Sequence, residues 1–186
     1  PITGGEVWKE TPRTPQGTGG IFGWTPPPWE ICSSTPDLMP NADYDINGNS
    51  GGGNGMWSGP ASHGDWYLGL VCHSGNFKEA IAQPLSAPFV AGTPYSFSVD
   101  LAKAQPYANN WGGLATGDAR FKIYGNMGSS RGCSIVNDGV NGQLLWTSPP
   151  IGHTDWRKYS IDFTPVKAWT HIYFTMPEPI ECGVNG

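Results

Sequence analysis

The sequence predicts an all-β fold: an antiparallel β-sandwich of the jelly-roll kind, carrying long loops. Three observations predict it. Seven strand-length apolar runs lie between residues 66 and 176, several alternating apolar and polar side chains with period 2, the mark of a half-buried strand. The chain holds 27 glycines and 18 prolines, placed so that they punctuate those runs rather than interrupt them. No segment repeats apolar residues at the 3.6-residue period of an amphipathic helix.

Taken in order, residues 1–64 hold little periodic signal and many breakers, among them "TPRTP", "TPPPW" and a glycine run, with one or two strands expected, for example around residues 6–9. The main strand series occupies 65–182. It opens with "WYLGLVCH" (66–73) and "EAIAQPL" (79–85), where Pro84 and Pro88 end the strand or hold it at an edge. In "YSFSVDLA" (95–102), Tyr95, Phe97, Val99 and Leu101 point one way, and Ser96, Ser98 and Asp100 the other. "RFKIYG" (120–125) and "QLLWTS" (143–148) follow, then "WRKYSIDF" (156–163), with Tyr159, Ile161 and Phe163 on one face, and "THIYFTM" (170–176). No internal repeat of 20–50 residues appears, so 1–186 is read as one domain.

Composition narrows the function classes. Only 13% of residues are charged and the formal net charge is −5, so there is no basic footprint for nucleic acid or an anionic membrane. No run approaches the roughly 18 consecutive apolar residues of a membrane span. The chain opens on Pro1 without an initiator Met, as a processed chain or an excised piece would. Cys32, Cys72, Cys133 and Cys182 are an even number at wide spacing with no C-x-x-C pair, which reads as two disulfides in an exported protein rather than a zinc or redox motif. Three connectivities are open, Cys32–Cys72 with Cys133–Cys182 being favoured.

The stretch "DYDINGN" (43–49) places Asp43, Asp45, Asn47 and Asn49 at alternate positions around Gly48, the first half of a calcium loop. The twelfth position is Asn54 instead of a bidentate Glu, so an EF-hand is excluded. An isolated structural calcium turn and a solvated Asx-rich turn both remain open. Nine tryptophans are many for this length. Trp57 and Trp111 fall in Gly-rich loops, and with Gln105, Tyr107, Asn109 and Asn110 they form a ligand-binding constellation: flat rings for a pyranose face, amides for its hydroxyls. Trp29, Trp66, Trp146, Trp156 and Trp169 are expected to cover the core. Catalysis has little support, because Glu30, Glu79, Asp100, Asp118 and Asp162 are scattered and no nucleophile or metalloprotease motif occurs. His63-Gly-Asp65 and His153-Thr-Asp155 read as local hydrogen bonding at turns leading into strands.

The runs "PPPWEICSSTPDLMP", "WYLGLVCHSGNFKEAIAQPLSAPFVAGTPYSFSVDLAKA", "FKIYG", "QLLWTSPPIGHTDWRKYSIDFTP" and "THIYFTMPE", in that order over residues 24–182, resemble jelly-roll modules of secreted and surface proteins of gliding bacteria. Those modules are similar to carbohydrate-binding, galactose-binding-like jelly rolls. The resemblance implies a non-catalytic module at the cell surface or outside it, binding glycan through loop aromatics. The alternative it implies is an adhesive or filament-building module, completed by a strand from a partner protein subunit. Two departures accompany it: no N-G-(S/D)-F-E type opening motif stands near Pro1, and the chain reaches "ECGVNG" where the closing strand is expected.

Overall fold

The computed structural model describes residues 21–22, 29–33, 36–40, 61–64, 66–70, 72–73, 77–103, 118–128 and 139–176. They form twelve strands and no helix: β1 (Ile21–Phe22), β2 (Glu30–Ser33), β3 (Asp37–Pro40), β4 (Trp66–Gly69), β5 (Cys72–His73), β6 (Phe77–Lys78), β7 (Ala80–Pro84), β8 (Tyr95–Leu101), β9 (Lys122–Asn126), β10 (Gly142–Thr147), β11 (Arg157–Phe163) and β12 (His171–Thr175). Every pairing is antiparallel. One layer is a five-stranded sheet in the order β10-β9-β12-β7-β2, and β8 with β11 belongs to the other. The chain therefore crosses between layers from β7 to β8, from β8 to β9, and again on either side of β11. The fold is the antiparallel β-sandwich that the alternation predicts.

The alternating runs behave as their pattern requires. Tyr95, Phe97 and Val99 of β8 turn inward, while Ser96 and Ser98 stay exposed. On β11, Ile161 and Phe163 are buried and Ser160 and Asp162 exposed. Ile81, Ile123, Leu145, Ile172 and Phe174 face them from the five-stranded sheet, and Trp169 lies among them without solvent exposure. Rings make much of this core. Phe163 stands edge-on to Phe89 at 5.3 Å, and Phe121 stacks on Phe174 at 5.8 Å. Pro84 ends β7 rather than marking an edge, because β7 runs inside the sheet between β12 and β2. Gly92, with φ at 76°, adopts the left-handed conformation that a β-carbon disfavours, in the turn leading into β8.

The outer face of the five-stranded sheet departs from the half-buried pattern. One ladder crosses all five strands through Leu144, Tyr124, Tyr173, Ala82 and Glu30. Tyr124, Tyr173, Ala80, Ala82 and Cys32 form a second buried cluster on it. Ala80 and Ala82 have no exposed surface. The Tyr173 hydroxyl donates to the Gly128 carbonyl. Burial, and then the charge of Glu30, push the Tyr173 phenol above its ordinary value. A raised phenol pKa favours the protonated form in the fold. Its contribution is present below the unfolded value of about 10 and fades as pH rises through the higher folded value. Tyr173→Phe should therefore destabilise by about 1 kcal/mol at neutral pH. In urea titrations from neutral to alkaline pH, the gap between wild type and variant should close above roughly pH 10. A gap independent of pH would uncouple this phenol from folding.

Candidate functional site

A cluster of open, ionisable groups lies at the end of the sandwich where β8 and β10 finish and β11 begins. Trp146 lies near the end of β10 in one layer, and Tyr159 near the start of β11 in the other. The connection between them carries Ile151, which is buried and bridges Ala119, and then His153. The backbone N–H of Lys103, just past β8, donates to the His153 carbonyl and pins this connection across the mouth between the layers.

The His153 ring is addressed at both nitrogens. Nδ1 lies 2.7 Å from the Asp155 backbone carbonyl, which can only accept, so Nδ1 carries a proton. In the singly protonated ring Nε2 is then an acceptor, and the Tyr159 hydroxyl 2.8 Å away donates to it. The two rings lie 17° from parallel with centroids 6.1 Å apart, and the Trp146 ring tilts against Tyr159, also at 6.1 Å. All three side chains are half-buried. The arrangement is a tautomer-fixed histidine and a phenol sharing one hydrogen bond beside an apolar indole wall.

The rim is charged. Arg157 Nε and one of its terminal nitrogens reach the two Asp155 oxygens at 2.9 and 3.2 Å. The hydrogen bond from Arg157, then one from its own backbone N–H, and then the charge of Arg157 hold the Asp155 carboxyl below the usual carboxylate range. Next to this, Trp156 meets Tyr67 edge-on at 5.6 Å. On the polar face of β8 a second cluster forms: the Ser62 hydroxyl donates to Asp100 Oδ2 at 2.7 Å, and His63 Nε2 lies 3.2 Å from the same oxygen. Both groups spend themselves on one carboxylate oxygen. The hydroxyl proton goes to Asp100 rather than to His63, so this is a clamp on the 61–64 segment and not a nucleophile–base pair.

The expected ligand-binding residues Trp57, Gln105, Tyr107, Asn109, Asn110 and Trp111 lie outside the described residues, as do the expected calcium ligands Asp43, Asp45, Asn47 and Asn49. Among the described residues no group of three or more His, Cys, Asp or Glu is placed to hold a metal ion. Cys32 and Cys72 are both disulfide-bonded, while Cys133 and Cys182 lie outside the described residues. Of the tryptophans expected to cover the core, Trp169 is buried, and Trp29 and Trp146 pack against the main cluster. The reading of His153-Thr-Asp155 as local hydrogen bonding describes Nδ1 alone. Tyr159, the partner of Nε2, is not marked as a functional group by the sequence, where it reads as one more inward residue of an alternating strand. The available signal is a histidine preceding a strand by a few residues, with a tyrosine on that strand's inner face.

No family model matches the sequence, and no curated protein matches it. Among solved structures the chain is similar to a Stig cyclase from Fischerella sp. TAU, solved in complex with (3Z)-3-(1-methyl-2-pyrrolidinylidene)-3H-indole. The TM-score is 0.53 at 15% identity, with 90% of this chain and 84% of that one covered. At that identity the likeness is one of fold. It corrects the expected function: this sandwich is shared with a small-molecule enzyme, so the fold does not mark a carbohydrate-binding or filament-building module.

Proposed function

We propose that this chain is an enzyme of the β-sandwich kind that binds a small, ring-bearing organic molecule at the mouth between its layers and moves a proton there. The observation that carries the reading is the His153–Tyr159 hydrogen bond beside Trp146. A phenol whose proton is directed at a fixed imidazole nitrogen is a ready acid–base pair, and the indole offers a flat apolar wall for a ring. The fold shared with a cyclase solved with an indole-containing ligand supports an aromatic small molecule as occupant. The expectation of a non-catalytic chain rests on missing sequence motifs, and a pair assembled from a loop and a strand leaves none. We further place the protein in an oxidising compartment, which the disulfide-bonded Cys32 and Cys72 support.

Within this site each residue has a distinct part. The Asp155 carbonyl fixes the His153 tautomer, and Tyr159 presents its hydroxyl to the ligand and to Nε2 at once. With Nε2 unprotonated the pair works as a base: as the Tyr159 oxygen takes a proton from a ligand atom, its own proton passes to Nε2, and the imidazolium so formed returns a proton through Tyr159 to the product. Trp146 holds the Tyr159 ring at a fixed tilt.

The test combines binding and turnover with indole and related heteroaromatics. Backbone and Trp side-chain NMR signals of 143–160 should shift on titration. Tyr159→Phe should weaken binding by roughly tenfold or less, the worth of one hydrogen bond. His153→Gln should leave binding within a few-fold but lower turnover of an accepted substrate by about 100-fold or more. Shifts confined to other parts of the chain would sink the site. Binding at this site with equal turnover by wild type and His153→Gln would leave a binding protein without acid–base chemistry.

A further inference from the structure

The connection that carries His153 is flanked by a cation. Lys103 lies two residues past the end of β8, and the bond from its backbone N–H to the His153 carbonyl, 2.9 Å long, sets the two residues side by side. On β8 the odd-numbered residues Tyr95, Phe97 and Val99 pack against the core, with Val99 opposite Tyr159 on β11. Lys103 continues that series and is half-buried. Alternation and burial together place its stem along the mouth between the layers, with the ammonium at the rim. Among the described residues no carboxylate pairs with it. Asp155 is held through both oxygens by Arg157. Asp100 is held by Ser62 and His63 on the polar face of β8. Asp118 is exposed and lies against Gly152, where a Cβ would stand 2.8 Å from its Oδ1. Gly152 is exposed between buried Ile151 and half-buried His153, so this carboxylate sits on the outer side of the connection.

We propose that Lys103 binds an anionic group of the ligand, so that the mouth takes an aromatic carboxylic acid rather than a neutral ring. The inference rests on the acid–base reading of His153 and Tyr159 and names the substrate class of that same site. A half-buried ammonium with no fixed partner has lost part of its hydration, and a bound anion offsets that loss. The chemistry points the same way. A proton passed to Nε2 makes an imidazolium beside Lys103, and two like charges side by side oppose the step. A carboxylate seated at Lys103 offsets both charges. With its ring on Trp146 and its carboxylate on Lys103, the ligand is fixed at two points, which orients the atom offered to Tyr159.

Isothermal titration with indole-3-acetate, its neutral isostere indole-3-acetamide and the cationic tryptamine tests this, with NMR signals of 143–160 locating the binding. The wild type should bind the acetate about tenfold more tightly than the acetamide, the worth of one charge-assisted hydrogen bond discounted for an open rim. Tryptamine should bind most weakly, and added salt should narrow the gap between acetate and acetamide. Lys103→Met should bring the acetate down to the level of the acetamide, whereas Lys103→Arg should keep most of the preference. Lys103→Gln gives the same comparison as Lys103→Met should that variant fold poorly. Equal binding of acetate and acetamide by the wild type, or a preference that survives both neutral variants, overturns the assignment and leaves the His153–Tyr159 reading standing. Tightest binding of tryptamine also overturns it and points to Asp118 instead. If none of the three binds at 143–160, the acid–base reading falls and this assignment falls with it.

Discussion

Gly125→Ala should unfold much of the protein at its working temperature. Gly125 sits in β9 facing the indole of Trp169, and an added Cβ would overlap Cδ1 while standing 2.7 Å from Cγ and 3.1 Å from Nε1. Neither side can yield easily. Gly125 is held in the ladder opposite both Gln143 and Ile172. Trp169 has no exposed surface, and its Nε1 donates to Gln143 Oε1 at 2.9 Å. Overpacking a close-packed site costs about 1–3 kcal/mol even where neighbours can shift, so a loss of at least about 3 kcal/mol is expected here. Chemical denaturation measures it, and a loss under about 1 kcal/mol would show that the indole can swing aside.

Trp169→Ala is the second large effect, at about 3–5 kcal/mol. It empties the centre of the main cluster and removes the donor to Gln143. That amide is a clamp: its Oε1 accepts from both Trp169 Nε1 and Val166 N, and its Nε2 donates to the Thr164 carbonyl at 3.1 Å. The two substitutions should not add. With the indole gone, the space it leaves accepts the methyl group added on β9, so the double variant should be little worse than Trp169→Ala alone. Simple additivity in the double-mutant cycle would mean that the Gly125 effect arises from β9 itself and not from the indole above it.

How far the sequence could be read varied by element. All seven runs marked as strands between 66 and 176 contain strands, because the alternation of Tyr95, Phe97 and Val99, or of Tyr159, Ile161 and Phe163, records one buried face directly. β2 escaped notice: Glu-Ile-Cys-Ser is short, follows three prolines and lacks clean alternation, yet it pairs with β7 nearly fifty residues later. The two-sided burial of β7, β9 and β12 was equally illegible. Ala80 and Ala82 look neutral in a pattern, and only cover on the outer face makes them core. The site followed the same rule. The loop aromatics Trp57, Tyr107 and Trp111 lie outside the described residues, and the described aromatics furnish the core and the mouth between the layers.

The sequence by itself determined that this chain is a β-protein, where its main strands run, and which side chains of the alternating strands turn inward. These are local matters: a period of two and the turn chemistry of glycine and proline act over a few residues. Tertiary structure alone decided which strands are neighbours, that Trp169 lies against a glycine 44 positions earlier, and that His153 meets Tyr159 beside Trp146 of the opposite layer. Such pairings arise because two sheets must bury their inner faces together, and no short window of sequence contains both partners.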